Sequence, residues 1–275
     1  MVHTASDIDV LIVGAGPVGL FLANECARRG IHWRIIEENS SQSEHSKALA
    51  IFPRTLEIFD MAGLVSPFLE TSHRVTSVAV MTRERTLAHM RFEPEDTAYA
   101  FVAMVPQNVT ERLLVQELEG KDGRVEYNTK FVSAEQCDNA VNVTVEHKGE
   151  LLKINASFVV GCDGAHSQVR QALNLALEGG EYESPFMLAD IETVTSLPAD
   201  ELQLCPSEFG PVAIFPMSAN RRRIVATIDE MQGDAPSITL CGRFWPVGLR
   251  GGSRHGACIG VVIFIFITGA WRNCG

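Results

Sequence analysis

Ile8-Asp9-Val10-Leu11-Ile12-Val13-Gly14-Ala15-Gly16-Pro17-Val18-Gly19 begins with a short apolar, β-branched run that stops at glycine, the pattern of a buried parallel strand. Leu20, Phe21, Leu22, Ala23, Cys26 and Ala27 follow with helical spacing, and Gly30 supplies a stop. A second apolar run, Ile31 to Ile36, ends on Glu37. Strand, glycine turn, helix, strand and acid stand in the order a dinucleotide-binding unit needs, with the acid about 20 residues beyond the turn. Each glycine has a separate physical task. Gly14 permits the tight turn, Gly16 lets the backbone approach a pyrophosphate, and Gly19 lets the helix pack close to the strand. The phosphates then meet the positive end of the helix dipole. Glu37 would accept from a ribose hydroxyl and repel a 2′-phosphate, which favours FAD or NAD over NADP at this place. The turn alone does not choose between those two.

A second stretch resolves the choice. Phe158-Val159-Val160-Gly161-Cys162-Asp163-Gly164-Ala165-His166-Ser167-Gln168-Val169-Arg170 runs an apolar strand into a glycine-bounded acid and then into a helix starting near Ser167. With the first motif it resembles the class A flavoprotein aromatic hydroxylases, the family of para-hydroxybenzoate hydroxylase and phenol hydroxylase. That family pairs an N-terminal G-x-G-x-x-G with a later C-D-G-x-x-S-x-V-R, and every named position is matched here. The resemblance covers residues 8–232 and implies FAD as the bound cofactor and NAD(P)H as co-substrate. It implies hydroxylation of a phenolic or other aromatic substrate with O2, through a flavin C4a-hydroperoxide. The flavin carries that chemistry, so no protein acid or base is assigned a catalytic role.

The same resemblance implies further cofactor contacts. Lys47, in Ser46-Lys47-Ala48, falls where the family frequently has an arginine against the pyrophosphate. Gln107, in Pro106-Gln107-Asn108-Val109-Thr110-Glu111, matches the glutamine that contacts the flavin side of FAD. Asp163 is expected near FAD and the path of the nicotinamide; the alternative reading is an aspartate capping the next turn. With Gly14, Gly16, Gly19 and Glu37, these complete the expected cofactor set. The eight histidines show no metal-ligand spacing, and no metal site is expected.

Composition limits the partners. The chain has 275 residues, 46% hydrophobic and 21% charged, which is globular, and its net charge of −11 argues against nucleic acid. Seven dispersed cysteines without a Cys-x-x-Cys pair suit free thiols in a reducing cytoplasm. The opening Met1 to Asp9 has two acids and no basic residue of the kind that starts a signal peptide. Ala257–Ala270 is apolar but shorter than the roughly 20 residues of a membrane helix, so no reliable span is expected.

The expected fold is α/β, a Rossmann-like FAD-binding domain (1–72 and 105–180) interleaved with a β-sheet-rich substrate domain (73–104 and 181–234). Short strands are expected over 73–92 and 98–104, a helix from Gln107 to Glu119, and separate strands at 141–145, 151–154 and 158–160. Phe186–Ile191, Val212–Pro216 and Arg223–Ile228 read as the family's substrate sheet. Residues 235–275 differ abruptly: the last acid is Asp234, and four arginines give the tail +4. The family's third FAD motif, Gly-Asp-Ala-Ala-His after an apolar strand, has no counterpart, since Gly233-Asp234-Ala235-Pro236 follows no such strand. The expectation is therefore a fold incomplete at the C-terminus. The competing functional expectation is a truncated, catalytically impaired FAD-binding fragment or a nucleotide-binding remnant.

Overall fold

The computed structural model describes residues 8–43, 46–82, 84–93, 96–179, 186–192, 195–206, 210–227 and 261–266. The first strand, β1 (Ile8–Val13), leads through the glycine turn into α1 (Pro17–Arg28) and returns as β2 (Trp33–Ile36). Leu11, Ile12, Ile35 and Ile36 are fully buried, as strands covered on both faces require. The chain then makes β3 (Ala50–Ile51), α2 (Pro53–Met61) and α3 (Val65–Thr71). The apolar pattern did not signal α3. Pro67 interrupts it, but lies in the first helical turn, where its missing N–H would have had no intrahelical partner anyway.

Next come β4 (His73–Val75), β5 (Ser77–Met81), β6 (Thr86–Arg91), β7 (Val102–Met104) and α4 (Gln107–Glu119). The α4 boundaries coincide with those expected. The strands β8 (Val125–Glu126), β9 (Thr129–Gln136), β10 (Val141–His147) and β11 (Glu150–Gly161) complete a six-stranded sheet in the order β8-β2-β1-β11-β10-β9.

One expectation is corrected here: 151–154 and 158–160 are not two strands but parts of the single strand β11. Residues 150–156 pair antiparallel with β10, residues 156–161 pair parallel with β1, and Ala156 has partners on both sides. The polar Asn155 between the two apolar runs is accommodated because its Nδ2 donates to Asn142 Oδ1 across the ladder, at 2.8 Å. This long strand carries the chain from an antiparallel meander to the middle of the sheet beside β1, and its end delivers the second motif beside the glycine turn.

The helix α5 (Gln168–Ala172) follows, then β12 (Phe186–Glu192), β13 (Glu201–Cys205), β14 (Val212–Pro216), β15 (Arg221–Thr227) and β16 (Val261–Phe266). A second, seven-stranded sheet runs β16-β12-β15-β14-β13-β5-β6. Its β5–β6 hairpin comes from before α4 and the rest from after α5, so the chain leaves the first sheet twice to build the second. Part of the apolar tail, Val261–Phe266, is an edge strand antiparallel to β12; Gly233–Pro236 and the remainder of the tail lie outside the described residues. Among the described residues, no helix is long and apolar enough to cross a membrane.

Apolar packing joins the layers. The small sheet β3-β7-β4 buries Leu49, Val75, Val102 and Met104 against Leu202 and Phe215 of the second sheet. On the other side, α1 and α4 pack through Leu20, Ala23, Leu113, Leu114 and Leu118. The buried Asn24 pins them further, its Nδ2 donating to the Leu20 and Leu114 carbonyls at 3.0 and 2.9 Å.

Candidate cofactor site

The glycine turn and the second motif meet at the carboxyl ends of β1 and β11, where open α/β sheets place their ligands. Gly14 has φ +102°, and a Cβ there would lie 2.5 Å from the Cys162 carbonyl oxygen. At Gly19 a Cβ would come within 2.0 Å of the Gly14 carbonyl oxygen, so close packing of helix on turn requires glycine. Gly16 differs from both. It is the N-cap of α1 with φ −72°, and a Cβ placed on it would meet nothing within 4 Å.

That open space belongs to a cavity of about 430 Å³ lined by Gly14, Gly16, Glu37, Lys47, Gln107 and Asp163, among others. Its volume falls within the ~300–1,000 Å³ range of small-molecule sites. Six of the seven expected cofactor residues therefore share one cavity, and the seventh, Gly19, packs behind its wall.

Each polar residue is held in a different way. Glu37 Oε2 accepts from the Ala15 N–H at 2.9 Å, which fastens the end of β2 to the glycine turn. Its Oε1 accepts from the Asn39 N–H at 3.0 Å and from Asn39 Nδ2 at 2.6 Å. A carboxylate has about four acceptor positions, so one is left for a ribose hydroxyl. Gln107 Oε1 accepts from the Ala48 N–H at 3.3 Å and its Nε2 donates to Glu111 Oε1 at 3.0 Å, which fixes the amide. Lys47 is exposed at the cavity wall, on the segment that Gln107 holds.

Asp163 takes the capping geometry. Its Oδ2 accepts from the Gln168 and Val169 N–H groups at 2.6 and 3.2 Å, and its Oδ1 accepts from Ser167 Oγ at 2.6 Å. Ser167 in turn accepts from the Arg170 N–H at 3.0 Å. The acid therefore anchors the start of α5 while forming part of the cavity wall. Cys162, also on that wall, has its thiol pKa pushed up by burial and by the adjacent Asp163, which leaves it a poor nucleophile.

Sequence reading missed two buried groups near the cavity. Glu111 is 5% exposed, and its carboxyl pKa is raised, chiefly by burial and further by the charge of Glu37, against the lowering effect of the Gln107 hydrogen bond. A carboxyl whose folded pKa lies above its unfolded value supports stability below the unfolded pKa and loses that support as pH rises through the folded one. Glu111→Gln should therefore flatten the decline in stability between weakly acidic and neutral pH, as read from urea midpoints across that range. An unchanged pH profile would contradict the assignment. The other missed group is the pair Asp190 and Arg223; a lone acid in the apolar run Phe186–Ile191 was the available hint, since buried charges need partners.

The residues of the cavity suit a dinucleotide: a Cβ-free wall at a helix start with no side-chain cap, an acid at the turn and a lysine on the wall. Comparison with known proteins agrees. The FAD binding domain family matches residues 7–239. Among curated proteins, 6-methylpretetramide 4-monooxygenase of Streptomyces rimosus is 33% identical over 75% of this chain and 37% of its own length. Pentachlorophenol 4-monooxygenase of Sphingobium chlorophenolicum is 29% identical over 83% of this chain and 46% of its own. A crystal structure of p-nitrophenol 4-monooxygenase from Pseudomonas putida DLL-E4 has the same fold, with a TM-score of 0.77 at 21% identity over 87% of this chain and 62% of that one. The chain spans less than half the length of the curated relatives it matches. With a family match over most of its residues, the chain belongs to the FAD binding domain family.

Proposed function

We propose that this chain serves an FAD-dependent monooxygenase that uses NAD(P)H and O2 to hydroxylate a phenolic or other aromatic substrate. The observation that carries the reading is the cavity that brings the glycine turn, Glu37, Lys47, Gln107 and Asp163 together. The names of the relatives, which act on pentachlorophenol and p-nitrophenol, support the substrate class. FAD, when bound, supplies the redox and oxygen-activating chemistry. The protein's part is to hold it. Gly16 leaves room for the pyrophosphate at the start of α1, Lys47 offsets its charge, and Glu37 accepts from the adenosine ribose. Gln107 faces the flavin half, and Asp163 shapes the wall through α5. We assign residues 1–72 and 105–180 to the cofactor-binding part, and 73–104 with 181–234 to the substrate part, whose seven-stranded sheet also takes in Val261–Phe266. The unpaired Cys26, Cys137, Cys162 and Cys205 suit a cytoplasmic setting.

The test is to supply the FAD-loaded protein with NADH or NADPH, a panel of phenols and ¹⁸O2. Oxidation of the nicotinamide with ¹⁸O in a ring hydroxyl is the expected result. No protein-dependent oxidation of either nicotinamide by FAD-loaded, folded protein would overturn the reading.

A further inference from the structure

Arg223 of β15 is 1% exposed and binds Asp190 of β12, its cross-strand partner, with both faces of its fork: Nε to Oδ1 at 2.7 Å and Nη2 to Oδ2 at 3.0 Å. The remaining nitrogen, Nη1, points away from the sheet into the segment that bears Lys47. It donates to the Lys47 carbonyl at 3.2 Å, with Ser46 Oγ and the Ala48 carbonyl each at 3.4 Å. The same segment is joined to α4: Ser46 Oγ accepts from the Gln107 N–H at 2.9 Å, and the Ala48 N–H donates to Gln107 Oε1 at 3.3 Å. A continuous set of hydrogen bonds therefore runs from Asp190 in the second sheet, through Arg223, to the two cofactor-facing residues Lys47 and Gln107.

A buried ion pair is a weak device for stability, because apolar residues of similar volume often serve as well. An apolar pair cannot supply what Nη1 supplies. Residues 46–49 have no helix or strand of their own, so their carbonyls take donors from elsewhere: that of Ala48 from the Gln107 N–H at 3.0 Å and Ser46 Oγ at 3.1 Å, and that of Lys47 from Arg223 Nη1. Arginine can bind a carboxylate with two nitrogens and still present a third donor in a fixed direction; lysine's single ammonium has no such planar fork.

We infer that Arg223, oriented by Asp190, is a positioning residue that holds Ser46–Ala48 against Gln107, so that the second sheet sets the shape of the cofactor cavity. The inference rests on the reading of that cavity as the FAD site only for its effect on FAD. Its structural half concerns the cofactor-free protein.

The test uses the full chain. Arg223→Met alone leaves the buried Asp190 carboxylate only the longer contact to Arg221 Nη2 at 3.4 Å and risks instability, so the deciding variant is the double substitution Asp190→Leu with Arg223→Met. Arg223→Lys serves as the variant that keeps the charge pair. Hydrogen exchange in the absence of FAD should rise about tenfold or more at the Ala48 and Gln107 amides in the double variant, with β1 and β2 exchange unchanged. FAD affinity should fall about tenfold alongside, and Arg223→Lys should show the same changes at smaller size. Unchanged protection at Ala48 and Gln107 in a folded double variant or in Arg223→Lys overturns the inference. If the wild-type protein takes up no FAD, the cofactor reading falls separately, and the exchange result still decides whether Arg223 positions the segment.

Discussion

Gly16→Val should weaken FAD binding by about 100-fold or more, equivalent to ~2.7 kcal/mol, while leaving the thermal midpoint close to that of the wild type. At φ −72° and ψ 179° the backbone of residue 16 is in a region valine adopts without strain, and nothing stands within 4 Å of the added Cβ, so the folded state loses little. The added methyl groups instead enter the cavity at the start of α1, where a pyrophosphate must approach the backbone to meet the helix dipole. Flavin fluorescence quenching and differential scanning calorimetry on the same preparation read the two quantities. Unimpaired binding would remove the role given to this turn.

Gly19→Ala should do the opposite and act on folding itself. The new Cβ would lie 2.0 Å from the Gly14 carbonyl oxygen and 3.2 Å from the Cys162 Cβ, and the nearer neighbour is backbone that no rotamer change can move. Relief requires α1 to move off the turn, which would open the packing of Leu20 and Ala23 beneath it. Overpacking of well-packed cores costs about 1–3 kcal/mol, and contact with rigid backbone places this site at or above the top of that range. The expected result is a fall in the urea midpoint corresponding to about 3 kcal/mol, or insoluble expression; a midpoint equal to wild type would contradict the structure of the turn. The contrast between the two glycines is informative because both belong to one six-residue motif yet fail for different reasons.

Much of the first sheet was legible because its signals are local. The β-branched run before Gly14, the spacing of α1, the positive-φ stop at Gly30 and the acid after β2 each depend on residues close in sequence, and the α4 boundaries follow from the Pro106 start and the Gly120 end. Asp163 was legible as a site residue with two readings, and the capping geometry is what its own neighbours impose. What the sequence concealed depends on register. The pairing of Asp190 with Arg223 spans 33 residues and exists only because β12 and β15 align those positions. Fusion of two apolar runs into β11 likewise required a cross-strand partner for Asn155, which the linear order cannot display. The edge position of Val261–Phe266 beside β12 is of the same kind: its composition marked the run as apolar without giving it a partner.

The central claim is that the cavity between the glycine turn, Glu37 and the end of β11 receives the ADP half of FAD. Equilibrium titration of the purified, cofactor-free chain with FAD, repeated with ADP as competitor, tests it most directly. The account predicts saturable uptake of one FAD per chain, displaced by ADP and lost in Gly16→Val. A correctly folded chain that takes up no FAD, or whose FAD is indifferent to both ADP and the Gly16 substitution, would contradict it.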